Sequence, residues 1–104
     1  MENWIKITKL IDIPSMGSRI VLIDREEIAI FRTKDDSIFA INNTCPHKQG
    51  KLSDGLVHEN TVTCPLHNTD INMLSGEAIG EDYKCTKTYK VKIENETIFL
   101  NWDN

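Results

Sequence analysis

The sequence is poor in most features that announce a function. Its longest uninterrupted apolar runs are four residues, as in Ile20 to Ile23 and Ile28 to Phe31, against roughly twenty for a helix that crosses a bilayer; no membrane span or membrane partner is expected. Basic charge is scarce: 12 Lys and Arg stand against 16 Asp and Glu, a net charge of -4. No basic stripe with interleaved aromatics tracks a phosphate backbone, so no nucleic acid partner is expected. Proline is limited to Pro14, Pro46 and Pro65, none inside a periodic segment, and no repeat or linker-like tract divides the 104 residues. One domain, 1–104, with a single modest core follows. The opening Met1-Glu2-Asn3-Trp4 has an acid and an amide where a secretory signal carries a basic and an apolar stretch, which predicts a cytoplasmic protein. Nucleophile-base pairs, phosphate loops and nicotinamide fingerprints are missing, and no catalytic residue is assigned.

What is present reads as β-structure. Ile5 and Ile7 alternate with polar neighbours, and Arg19 to Asp24 and Glu27 to Thr33 are β-branched runs joined by the break Asp24-Arg25-Glu26. Ser37 to Asn42 follows a second break, Lys34-Asp35-Asp36, which predicts a hairpin leading directly into Cys45. Tyr89, Val91 and Ile93 alternate with Lys90, Lys92 and Glu94, and Asn95 turns the chain into Thr97 to Asn101. No segment sustains a helical period, so the class is all-β, with at most one short helix near residues 10 to 16. Four of the five glycines, Gly50, Gly55, Gly76 and Gly80, fall in residues 43–80. That stretch is expected to be a loop-rich binding segment inserted in a β scaffold.

Three cysteines are too few for a disulfide framework, and in a reducing compartment closely spaced thiols more often bind metal. Two of them stand in Cys45-Pro46-His47 and Cys64-Pro65-Leu66-His67, so each half offers one thiolate and one imidazole. Such a two-plus-two set can serve one tetrahedral zinc or a two-iron cluster. Zinc fingers usually pair cysteine with cysteine and histidine with histidine, not one mixed pair in each half, which favours iron. Thiolates stabilise ferric iron and neutral imidazoles donate less charge. A division of ligands by type therefore raises the potential to about -150 to +300 mV, against about -400 mV for an all-cysteine cluster.

These residues resemble the signature of the Rieske [2Fe-2S] family. The resemblance implies Cys45 and Cys64 on an inner iron, His47 and His67 on an outer one, and a cluster-binding subdomain of about 43–80 carried on antiparallel sheets. Leu52-Ser-Asp-Gly55, Cys64-Pro-Leu-His-Asn68, Ser75-Gly-Glu-Ala78 and the tail Gly80 to Tyr89 are similar, within that family, to the small subunits of bacterial assimilatory NAD(P)H nitrite reductases. That likeness covers nearly the whole chain. It implies a one-electron carrier and a large partner subunit that holds flavin, sirohaem and a second iron-sulfur cluster, the pair reducing nitrite to ammonium. Two other functions fit the residues: a free ferredoxin serving a ring-hydroxylating dioxygenase, and a cluster-free structural subunit. Against the ferredoxin, Asn68 stands where glycine is usual, and ferredoxins lack the tail ending at Tyr89. Gln49, Lys51 and Thr69 also depart from the family's frequent glycine, proline and tryptophan, yet no ligand is lost. Ile71 lacks the hydroxyl of a tyrosine found in high-potential members, which predicts a potential near the low end, about -150 mV.

The remaining notable side chains read as ordinary ones. His58 is expected to be a surface histidine at a strand end, without a ligand role. Cys85 is expected to be a partly buried small residue, and Trp4 and Trp102 to be core or capping residues.

Overall fold

The computed structural model describes residues 3–44, 51–64, 70–79 and 86–102. Among them ten strands run in chain order: β1 (Trp4–Lys9), β2 (Ser18–Ile23), β3 (Glu26–Arg32), β4 (Ile38–Asn42), β5 (Leu56–His58), β6 (Thr61–Thr63), β7 (Asp70–Asn72), β8 (Thr88–Tyr89), β9 (Val91–Glu94) and β10 (Thr97–Asn101). Two single 3₁₀ turns, Leu10–Asp12 and Leu52–Asp54, are the described helical structure, so the class is all-β. The first of these turns is the short helix expected near residue 10.

The strands form three antiparallel sheets, in the orders β1-β10-β9, β2-β3-β4-β8 and β5-β6-β7. The four-stranded sheet is the middle layer, and its burial pattern shows why. On β3, Ile28 and Ile30 join Ile13, Ile38, Ala40, Ile98 and Leu100 in one buried cluster. Their neighbours Ala29 and Phe31 join Ile41, Leu52, Val57, Val62, Cys64, Ile71, Met73 and Ala78 in another. Successive side chains of a strand point to opposite faces, and a strand covered on both faces reads as a continuous apolar run. The run Ile28 to Phe31 is therefore the two-sided wall between two cores.

The hairpins follow the local chemistry. Asp24 and Arg25 both adopt positive φ (48° and 70°) between Ile23 and its partner Glu26, and Asn95 and Glu96 do the same (51° and 66°) between Glu94 and Thr97. Two consecutive left-handed residues are the twist-matched connection for a two-residue hairpin.

Two expectations are revised. The alternating stretch from Tyr89 to Glu94 is not one strand: Tyr89 pairs with Ala40 in the middle sheet, whereas Val91 pairs with Leu100 in the terminal sheet. The chain changes sheets at Lys90, whose carbonyl accepts from the Asn101 amide at 2.9 Å. The inserted segment also holds a sheet of its own, β5-β6-β7. Strands of three residues are too short to mark themselves by periodicity.

Candidate metal centre

Of the four predicted donors, the described residues include Cys64; Cys45, His47 and His67 lie outside them, as do Cys85, Gly50, Gly80, Gln49, Asn68 and Thr69. Cys64 follows the last residue of β6 and is fully buried. It shares the second core with Leu52, Val62, Ile71 and Ala78. Val62 and Cys64 lie on the inner face of β6 and Thr61 and Thr63 on the other, as strand alternation requires. Ile71, opposite Val62 on β7, is also fully buried beside this cysteine's cluster.

The stems of the three undescribed segments meet at one place. Thr44 and Lys51, which bound 45–50, form an antiparallel bridge. Thr63 and Asp70, on either side of the chain from Cys64 through 65–69, are register partners. Thr86, which follows 80–85, donates its hydroxyl to the Thr44 carbonyl at 3.1 Å and its amide to the Gly76 carbonyl at 2.7 Å. The Ile79 amide binds the Asp70 carbonyl at 2.8 Å. The described residues that flank the two mixed Cys/His pairs are therefore tied to one another by backbone and side-chain hydrogen bonds.

Asn43, which no sequence pattern singled out, organises the first stem. It is buried to 1% exposure, so each of its polar groups needs a partner. Its side-chain amide donates to Glu27 at 3.1 Å, and its side-chain oxygen accepts from the Ser53 amide at 2.7 Å. Its backbone N–H bonds the Glu27 carbonyl at 3.0 Å, and its carbonyl accepts from Leu52 at 2.9 Å. The Asn43 amide, and then the Lys51 ammonium at 3.4 Å, hold the Glu27 carboxyl below its ordinary value of 4.5. The only sequence cue was a polar Asn42-Asn43-Thr44 closing an apolar strand.

Two glycines let the stems approach closely. A Cβ on Gly55 would run into the Thr63 carbonyl and the Val62 side chain, and one on Gly76, at φ +80°, into the Thr86 carbonyl. Cβ-free backbone is what such contacts require. Trp102 stacks on Tyr89 with ring centroids 5.4 Å apart and donates Nε1–H to Asp24 at 2.9 Å; burial pushes the Tyr89 phenol above its ordinary value. Trp102 is thus a partly buried residue packed against the core of Ile28, Ile30, Ile98 and Leu100.

The family of Rieske-like [2Fe-2S] domains matches residues 3–101, and the chain belongs to it. Its cofactor is a Rieske-type [2Fe-2S] cluster, and it is an electron-transfer domain. The ferredoxin component of the naphthalene 1,2-dioxygenase/salicylate 5-hydroxylase systems of Ralstonia sp. is 34% identical, over 98% of each chain. The structure of the E. coli protein NirD is 27% identical and superposes with a TM-score of 0.87 over 100% of both chains. A structure described as the small subunit of an NADH-dependent nitrite reductase from Mycobacterium tuberculosis has a TM-score of 0.89 over 100% of this chain and 98% of its own, at 18% identity, and shares the fold.

The residues present fit that cluster. A wholly buried thiol in an apolar wall is a poor place for solvent and a good one for an inner thiolate ligand, and two thiolates with two imidazoles are the Rieske donor set. Among the described residues no group of three or more histidine, cysteine or acidic side chains could hold a metal ion. None of their helices is long and apolar enough to cross a membrane.

Proposed function

We propose that the chain is the electron-transfer small subunit of an assimilatory NAD(P)H nitrite reductase. In this reading Cys45 and Cys64 ligate the inner iron, His47 and His67 ligate the outer one, and 43–80 is the cluster-binding part of a single domain. The observation that supports the ligand set is the complete burial of Cys64, together with the pairing of Thr44 with Lys51 and of Thr63 with Asp70, which flank the two motifs. Bound there, the cluster supplies one-electron chemistry at about -150 to +300 mV. The chain's own part is to keep water from the Cys64 sulfur and to hold the two stems at a set separation. The large partner, with flavin, sirohaem and a further iron-sulfur cluster, would perform the chemistry on nitrite in the cytoplasm.

The partner assignment is supported by the tail Gly80 to Tyr89 and by the end-to-end match to the E. coli protein NirD. A second reading has its own support: the relatives at 34% and 30% identity are ferredoxin components of dioxygenase systems. One reconstitution separates the readings. Reduced protein mixed with a sirohaem-containing nitrite reductase large subunit should restore nitrite reduction, and Cys45→Ser or Cys64→Ser should abolish it. Turnover only with a ring-hydroxylating oxygenase would establish the ferredoxin reading, and turnover undiminished by either serine would establish a cluster-free structural role. Protein carrying one zinc and no acid-labile sulfide would overturn both electron-transfer readings.

A further inference from the structure

We propose that His58, Thr63 and Asp70 form a side-chain clasp that ties β5, β6 and β7 together at the end where Cys64 follows, and thereby positions Cys64 as a ligand. The inference rests on the ligand assignment above. The Thr63 hydroxyl lies 2.6 Å from Asp70 Oδ1, and His58 Nε2 lies 2.7 Å from the Thr63 oxygen and 3.7 Å from Asp70 Oδ1.

Chemistry sets the direction of the chain. An ionised carboxylate only accepts, so the single Thr63 proton goes to Asp70, and the Thr63 oxygen is left to accept from His58. His58 must then carry a proton on Nε2 whether its ring is neutral or charged. The connection runs His58 Nε2–H to Thr63 Oγ1–H to Asp70, across all three strands of the small sheet. It lies on the face opposite Val62 and Cys64.

Its place in the register gives it a purpose. Thr63 is the last residue of β6 and Asp70 the first of β7, so their bond is the final rung before Cys64 and the 65–69 segment. Strands of three residues have few ladder bonds, and small sheets are marginal without further ties. Aspartate is a poor strand residue, yet one begins β7 where its carboxylate can take the threonine proton. The first stem is tied from inside by buried Asn43; the second is tied from outside by these three side chains.

The test follows iron release from cluster-loaded protein to a ferrous chelator after reduction, alongside the paramagnetic resonance of the reduced cluster. Thr63→Val keeps shape and β-branching and removes the hydroxyl. It should release iron about fivefold faster, the order expected for one hydrogen bond to a partly exposed carboxylate, with a broadened resonance. His58 is half exposed, with 51% of its side chain accessible, so it can be changed without threatening the fold. His58→Leu should also speed release, whereas His58→Gln, whose amide can still donate to Thr63, should stay within about twofold of the wild type. Thr63→Val and His58→Leu both within about twofold of the wild type would overturn the clasp, and so would equal acceleration by leucine and glutamine. Two controls test the ligand assignment separately. Wild-type protein should show a Rieske resonance and Cys64→Ser should lose it; failure of either removes the assignment and the clasp with it, whereas their success with unchanged release removes the clasp alone.

Discussion

The two faces of the middle sheet are built in different ways. Towards the chain termini, the core is Ile13, Ile28, Ile30, Ile38, Ala40, Ile98 and Leu100, covered by strands of four to six residues whose β9–β10 hairpin has a tight two-residue turn. Towards the proposed cluster, the strands are three residues long, and polar ties supplement the apolar core around Phe31, Leu52 and Ile71. Asn43 joins Glu27 to Ser53, Thr86 joins Thr44, and Thr63 joins Asp70. The terminal face is stabilised by burial of hydrocarbon, which is non-directional and tolerant of small shifts. The cluster face buries an apolar core of its own and adds to it hydrogen bonds that work at one geometry. A ligand site needs that precision, and a scaffold does not.

The comparison breaks most visibly at the largest apolar contacts. Leu100→Ala removes a fully buried side chain from the terminal face and should cost about 3 kcal/mol in urea unfolding, while the molecules that remain folded keep their full iron content. Loss of iron in step with stability would show that the two faces are one unit. Asn43→Ala should cost less, about 2 kcal/mol, by leaving the Ser53 amide without its partner. Its effect on iron retention should exceed that of Leu100→Ala, and the reverse order would erase the distinction.

A pH titration sharpens the contrast. The Glu27 carboxyl is held below 4.5 in the folded state, first by Asn43 and then by Lys51. A depressed folded value means the contribution is complete above the unfolded value and disappears as pH falls through the folded one. Glu27→Gln should therefore be less stable than the wild type at neutral pH, and the difference should close as pH falls below 4.5 through the folded value. Asp12 and Asp35, held low first by Thr8 and by Thr33, also lose stabilising contacts in acid, in wild type and variant alike, so the difference between the two isolates Glu27. The smallest effect is a gain. Glu96 sits at φ 66° in the β9–β10 turn, and Glu96→Gly should raise stability by about 0.5–1 kcal/mol, with the melting temperature up and iron content unchanged.

The sequence by itself determined the all-β class, the strand runs between Arg19 and Asn42, the places where the chain turns at Asp24-Arg25 and at Asn95, and the two mixed Cys/His pairs. These are local properties: β-branched runs, turn-forming residues and donor spacing act over a few neighbouring residues. It also placed His58 at an exposed strand end, correctly, while leaving its hydrogen bond to Thr63 invisible. Only the tertiary structure decided that Ile28 to Phe31 divides two cores, that the stretch from Tyr89 to Glu94 is split between sheets at Lys90, and that Asn43 and the Thr63–Asp70 pair hold the stems of the metal site. Each of these depends on partners distant in the chain, from Thr63 and Asp70, 7 positions apart, to Ile28 and Leu100, 72 apart, and strands of two or three residues carry too little periodicity to announce which face they bury or which strand they join. The proposed ligands stand out in the sequence because metal chemistry restricts residue type and spacing. The groups that aim them do not, because a hydrogen bond across a sheet is set by register, and register is settled when the sheets pack.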